Sequence, residues 1–261
     1  MRITIILVSL AALALAGAIL VAGPGTRFGL WEYGTGLTIL GKVARPIQIV
    51  GPISLSPLFT ALGLSALGFV AALFTRRGGL AVLALAATAA AGVAGYAPIK
   101  MKQLVEANPF IHDITTDIEN PPAIIAGAGF ERKNPPDYVG DQEVRDTGMT
   151  VAQSQREAFP DIEPLIVEAG LEDTADAARE VVMAMGMEIL ADAATETGWR
   201  IEAVETSFWF GFKDDFIVRL TPEGDGETRV DVRSKSRVGG SDLGANARRV
   251  RAFFSKLPGA L

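Results

Sequence analysis

Ile3 to Ala22 is a run of twenty residues without a charged side chain. As a helix it spans roughly 30 Å, the thickness of a bilayer's hydrocarbon core, and no other feature so narrows the possible folds. A cleaved signal peptide is the rival reading, since Arg2 precedes the run and small residues end it. Signal-peptide apolar regions are about 7–15 residues long, and Pro24 stands just past the obvious cleavage point. The run is therefore read as a retained span. A second runs from about Leu55 to Phe74, and a third from Leu80 to about Ile99. Thr75-Arg76-Arg77-Gly78-Gly79 joins them, a connection short enough to force an antiparallel hairpin. Soluble helices of this length with no polar face are uncommon. Rows of small residues four apart (Ala84, Thr88 and Gly92; Ala91 and Gly95) suit close helix packing in lipid.

Basic residues beside the spans set the orientation. Arg2 with Arg76 and Arg77 favours a cytoplasmic N-terminus and hairpin, which places the loop 23–53 and everything after the third span outside. Arg27, Lys42, Arg45, Lys100 and Lys102 oppose this, but dense charge in a very short loop weighs more. Trp31, Tyr33 and Tyr96 fit interfacial anchors. The expectation is a multi-pass protein of the cytoplasmic (inner) membrane, with its large domain on the periplasmic or outer side.

Charge divides the chain in the same place. Residues 1–100 hold seven basic side chains against Glu32 alone, a net of +6, whereas residues 101–261 carry 17 basic and 29 acidic groups, a net of −12. The domains are thus read as an anchor over 1–100 and an extramembrane domain over 101–261. There is no cysteine, which rules out disulfides, thiol nucleophiles, iron–sulfur clusters and cysteine zinc sites. His112 is the one histidine, so a site needing two imidazoles from one chain is excluded. No metal or other cofactor is expected.

Prolines at 109, 121, 122, 135 and 136 forbid a continuous helix through residues 108–138. An ordered non-helical wrap is expected there, burying Phe110, Ile111, Ile114, Ile124, Ile125 and Phe130. Helical spacing then marks Glu172 to Leu190, with Asp173 or Thr174 as cap and Thr197-Gly198 as the following turn. Strands are predicted over Trp199–Glu205, within Ser207–Leu220 (with Lys213-Asp214-Asp215 as a candidate break) and over Thr228–Val238 after the turn Pro222–Gly226. Met149 to Ile166 offers a further strand. A last helix runs from Ser241 to about Leu257 on a stripe of Leu243, Ala247, Val250, Phe254 and Leu257. The fold class is therefore about three transmembrane helices plus an α+β domain: an antiparallel meander sheet with helices on one face.

Several stretches carry a resemblance. They are His112-Asp-Ile-Thr-Thr-Asp117, Phe159-Pro-Asp-Ile162 with Pro164-Leu165, Trp209-Phe-Gly-Phe-Lys-Asp-Asp215, and Val230-Asp-Val-Arg-Ser-Lys-Ser-Arg-Val238 continuing through Ser241–Asn246 to Arg251. Over roughly residues 108–257 the chain resembles the bacterial and plastid family called domain of unknown function 1499. The resemblance implies a membrane-associated or exported domain and no established reaction. Family members often carry arginine where this chain has Gly240, which removes one basic group here.

Residues 229–256 concentrate eight basic groups against Asp231 and Asp242. Strand alternation sets Asp231, Arg233, Lys235 and Arg237 on one face and Val230, Val232, Ser234 and Ser236 on the other. Arg233, Lys235 and Arg237, leading through Gly239-Gly240 to a helix start at Ser241, are candidates for binding a phosphate, a carboxylate or a lipid headgroup. The plainer reading pairs these cations with Glu202, Glu205, Asp214 or Asp215 on neighbouring strands. His112, Asp113 and Asp117, beside Thr115 and Thr116, are weaker catalytic candidates: a His–carboxylate pair can orient a general base. Yet His112 and Asp113 are adjacent, and in an extended chain they point opposite ways. A test of convergence is whether His112, Asp161 and Arg233 meet in one open pocket.

The leading functional expectation is a binding or assembly module tethered to the membrane, more a binder than an enzyme. A hydrolase using His112 and nearby carboxylates and a structural subunit of a membrane complex are the alternatives. The bilayer, other membrane proteins and a small anion are the expected partners. Net charge argues against nucleic acid.

Overall fold

The computed structural model describes residues 1–50, 53–224 and 226–261. The chain divides into two compact units: Met1–Gln103 with Phe208–Gly211, and Leu104–Ser207 with Phe212–Leu261.

The first unit is helical. Helix α1 (Arg2–Arg27) is followed by α2 (Tyr33–Ala44), a short antiparallel hairpin of β1 (Ile47–Val50) and β2 (Ile53–Leu55), then α3 (Pro57–Phe74) and α4 (Gly78–Ala107). Three of these, α1, α3 and α4, are long and apolar enough to cross a membrane. Helix α1 buries Ile5, Ser9, Ala12, Ala16, Ile19 and Ala22, a stripe three or four residues apart that turns its small side chains inward. Helix α4 does likewise with Ala84, Ala87, Ala91, Ala94 and Gly95. A Cβ on Gly95 would stand 3.0 Å from the Phe59 ring, so close packing requires glycine there. Gly92 faces outward instead. Between α3 and α4 the hydroxyls of Ser65 and Thr88 lie 3.0 Å apart, the kind of polar contact that joins helices in an apolar solvent. The bend between them is closed by Arg76 and Arg77, whose N–H groups donate to Leu73 and Ala72 carbonyls, with Arg76 at φ 54°. Sequence reading finds the three spans but not α2 or the β1–β2 hairpin, because the 23–53 loop lacks a strong apolar period. Helix α4 carries Pro98 inside it and continues past Ile99 through Lys100 and Lys102.

The second unit is α+β. Strand β3 (Asp113–Thr115) precedes α5 (Val151–Ala158), β4 (Leu165–Val167) and α6 (Leu171–Ala184). The meander β5 (Glu188–Thr195), β6 (Gly198–Thr206), β7 (Lys213–Pro222) and β8 (Thr228–Ser236) follows, then α7 (Ala245–Lys256) and a 3₁₀ turn over Leu257–Gly259. The six-stranded antiparallel sheet has the order β3-β8-β7-β6-β5, with β4 also paired to β8. One face carries Ile201, Ala203, Phe216, Val218, Leu220, Val230 and Val232. Onto it pack Ala178, Val181 and Val182 of α6 and Ala247, Val250 and Phe253 of α7. Phe216 and Phe253 meet edge to face, their centroids 5.4 Å apart.

Four local expectations change. Helix α6 stops at Ala184 rather than Leu190: Gly186 takes φ 78°, the left-handed conformation that ends helices. Ile189 then belongs to strand β5 rather than to the helical stripe. Met149–Ile166 is mostly helix α5, started by a capping box in which Thr150 and Gln153 bond each other's backbone N–H, with β4 only at its end. Lys213-Asp214-Asp215 begins β7 rather than breaking it, because both aspartates find arginines. Helix α7 starts at Ala245, not Ser241, after Leu243 and Gly244 at positive φ. The turn Pro222–Gly226 does join β7 to β8; Asp225 lies outside the described residues.

Candidate functional site

The other face of the sheet is polar and yet buried. In the β7–β8 register Asp215 stands opposite Lys235, Ile217 opposite Arg233 and Arg219 opposite Asp231, while β3 sets Asp113 opposite Lys235. Alternation therefore gathers cations and carboxylates on one surface. The proline-rich segment expected to wrap the domain crosses this surface and roofs it. Backbone carbonyls of Pro122 and Pro136 accept from Arg233 at 3.1 and 3.0 Å, and that of Asp137 accepts from Lys235 at 2.6 Å. The Glu202 carboxylate accepts from the N–H groups of Ile125 and Gly127. The roof is held by polar contacts more than apolar ones: Ile111, Ile114 and Ile124 are buried, but Phe110, Ile125 and Phe130 are exposed. The ring of Phe130 lies under the Arg237 guanidinium at 4.7 Å.

Arg233 and Lys235 are the two largest charged side chains fully withdrawn from solvent, at 1% and 0% exposure. Asp113, itself 0% exposed, neutralises both. Its Oδ1 and Oδ2 accept from Arg233 at 2.9 Å each, a bidentate pair, and Oδ2 accepts from Lys235 Nζ at 2.9 Å. Burial lowers the Lys235 ammonium pKa, with Asp113 opposing that shift. Arg237 donates to Asp215 at 2.9 and 2.6 Å, and Arg132 from the roof binds the same carboxylate. Arg219 and Arg229 share Asp231 and Asp117. At the start of α7, Arg249 reaches Asp214 at 2.8 Å and also pairs with Glu205. Each of the proposed anion-binding cations thus already holds a carboxylate of the domain itself. The helix-start donors are likewise engaged: Asp242 accepts from Gly244 and Asn246 N–H at 2.7 and 2.8 Å, and Ser241 Oγ accepts from Leu243 N–H at 3.2 Å. Burial raises the Asp242 pKa to about 6.

His112, Asp113 and Asp117 occupy three different environments. The His112 carbonyl accepts from Ser236 N–H and the Asn246 amide, and its Nε2 is buried without a hydrogen-bond partner. Burial first, then the nearby Lys235 charge, lowers its pKa, which keeps the imidazole neutral near pH 7. Asp113 faces Arg233 and Lys235 instead. Asp117 accepts from Glu119 and Asn120 N–H in a local turn, as well as from Arg219 and Arg229. Asp161 pairs with Arg251 on the surface, both bonds 2.6 Å. His112, Asp161 and Arg233 therefore do not converge. A groove of about 450 Å³ does open beside Asp117, lined also by Glu119, Gln155, Arg156, Phe159 and Glu163. Among the described residues no group of acidic and histidine side chains is arranged to hold a metal ion.

A family model described as protein of unknown function (DUF1499) matches residues 113–257, more than half of the chain. The chain belongs to that family. The match begins at Asp113 and ends just after α7, so the DUF1499 region contains the whole roofed charge layer and excludes the three apolar helices. A comparison with curated proteins finds no match. Gly240 has its would-be Cβ position 2.7 Å from the Phe110 ring, so that aromatic side chain takes the space.

Sequence reasoning missed the residues that close the layer: Arg132, Tyr138 and the carbonyls of Pro122, Pro136 and Asp137. The Tyr138 ring lies 5.5 Å under Arg233, its hydroxyl buried without a partner and its pKa raised by burial and by Asp113. Proline clusters had signalled a non-helical roof, but no local signal tells which carbonyls point inward.

Proposed function

We propose that the chain is a multi-pass protein of the cytoplasmic membrane which displays its DUF1499 domain on the outer side as an assembly module. One observation carries this reading. The domain's densest charge is consumed by its own ion pairs under the roof, with Asp113 holding both Arg233 and Lys235. Its chemistry serves to fix a rigid shape, and a rigid shape on a membrane tether suits recognition of other envelope proteins. Capture of a small anion or lipid headgroup at Arg233, Lys235, Arg237 and Ser241 has less support, because a ligand there must displace a buried carboxylate. A hydrolase built on His112, Asp113 and Asp117 has less again, since those side chains face apart.

Purification of the full chain in mild detergent after cross-linking in cells tests the reading. Stoichiometric partner proteins are expected. A chain recovered alone, with phosphate or lipid bound in a manner abolished by Arg233→Gln, replaces assembly with anion binding. Orientation rests on Arg2, Arg76 and Arg77. A reporter that works only in the cytoplasm should stay silent when fused after Leu261, and activity there reverses the topology.

A further inference from the structure

The tip of the β6–β7 connection, Phe208–Gly211, belongs to the helical unit. Its sequence is Phe208-Trp209-Phe210-Gly211, three aromatic residues in a row. Within that unit it lies against the last turns of α1. The Trp209 indole ring occupies the space that a Cβ on Gly23 would need, and its N–H points to the Leu20 carbonyl at 3.5 Å. Trp31 does the same two residues on, filling the space at Gly25 and donating to the Ala22 carbonyl at 3.2 Å. Arg27 donates to the Phe208 carbonyl at 2.7 Å, and its guanidinium stands 5.9 Å from the Phe208 ring centroid. Phe208 itself is 91% exposed, and Phe28 and Leu30, just past the end of α1, are 75% and 73% exposed.

We infer that Phe208, together with Phe28 and Leu30, inserts into the interfacial region of the lipid bilayer. The apolar surface of α1 runs directly into this patch, so the occupant is the one already expected around the span. Composition agrees: indoles with a bonded N–H, phenyl rings and an arginine at the end of an apolar helix are what a membrane–water interface selects. Topology agrees as well. With three spans, the C-terminal end of α1 and the segment after α4 face the same side, so the β6–β7 tip and the end of α1 meet the same leaflet.

The cysteine-free chain makes the test direct. Phe208→Cys in the full-length protein is labelled with a nitroxide and reconstituted into vesicles of phosphatidylcholine and phosphatidylglycerol. Leu67→Cys, on the exposed side of α3, gives the lipid reference, and Glu172→Cys, exposed on α6, gives the aqueous one. The label at 208 should be relaxed by dissolved oxygen in preference to a water-soluble nickel complex, as at 67. Relaxation like that at 172 overturns the inference. Shielding from both reagents also overturns it, in favour of contact with protein. Phe28→Cys provides a second position on the same patch, where the same result is expected, should the first variant fail to reconstitute.

Discussion

Replacing Asp113 by Asn keeps the size and shape of the side chain and removes the one carboxylate that Arg233 and Lys235 share. At an effective dielectric of about 20, unit charges 2.9 Å apart attract by roughly 6 kcal/mol, of which desolvation cancels much. Removing one partner of a buried pair typically costs about 3–5 kcal/mol. Against a whole-domain stability of about 5–15 kcal/mol, that loss is large. Burial has already lowered the Lys235 pKa, and Asp113 is what opposes this, so the variant lowers it further. The unfolded chain then binds more protons than the folded one, and the stability deficit shrinks as pH rises above neutrality. Urea unfolding of the full chain in detergent, followed by Trp199 in a Trp31→Phe, Trp209→Phe background, measures it. A second substitution, Lys235→Met, should restore more than half of the loss by removing one stranded cation. A deficit below about 1 kcal/mol for Asp113→Asn would refute the view that this layer is a buried, mutually neutralised core.

Three further outcomes follow from the same face and its borders. Asp242 has its pKa raised from 3.8 to about 6, so its contribution is present in full below pH 3.8 and lost as pH rises through 6. Discounted for partial solvent contact, the swing stays under about 3 kcal/mol, and Asp242→Asn should lose less stability than wild type between pH 4 and 7 in thermal melts. The Gln155 amide accepts from Thr115 N–H at 3.0 Å and donates to Thr115 O at 2.6 Å. Gln155→Ala strands both backbone groups and should cost about 2–4 kcal/mol, seen as faster amide exchange across β3. Gly198→Ala puts a Cβ 2.0 Å from the Leu220 carbonyl oxygen at φ 156°, so β6 and β7 must separate. A lower midpoint of unfolding is expected, and an unchanged one counts against the register given.

Much of the architecture was legible because it follows from periodicity. Charge-free runs of about twenty residues leave a helix few alternatives to a membrane, and the alternation in 230–236 set apolar and ionic faces apart correctly. Boundaries were misread where one residue decides them, as Gly186 does by ending α6 early. The fate of the basic strand was the harder question. Its alternation is equally consistent with a ligand face and with internal pairing. What separates the two is Asp113, 120 residues distant from Arg233, and a roof whose backbone carbonyls carry no side-chain signature. His112 and Asp113 were correctly read as pointing apart, but nothing local indicated that Asp113 was the central carboxylate of the domain.

The pairing of Asp113 with Arg233 and Lys235 also bears on the order in which the protein is made. Asp113 follows the last apolar helix, whereas its two partners lie in the final fifth of the chain. During synthesis the early part of the domain emerges with an unmatched carboxylate and a roof that has no sheet beneath it. Contacts this distant in sequence carry a high closure entropy and form late. The domain must therefore remain open until β8 arrives, and a chain truncated before Thr228 should be recognised by proteases as unfolded, however intact its apolar helices.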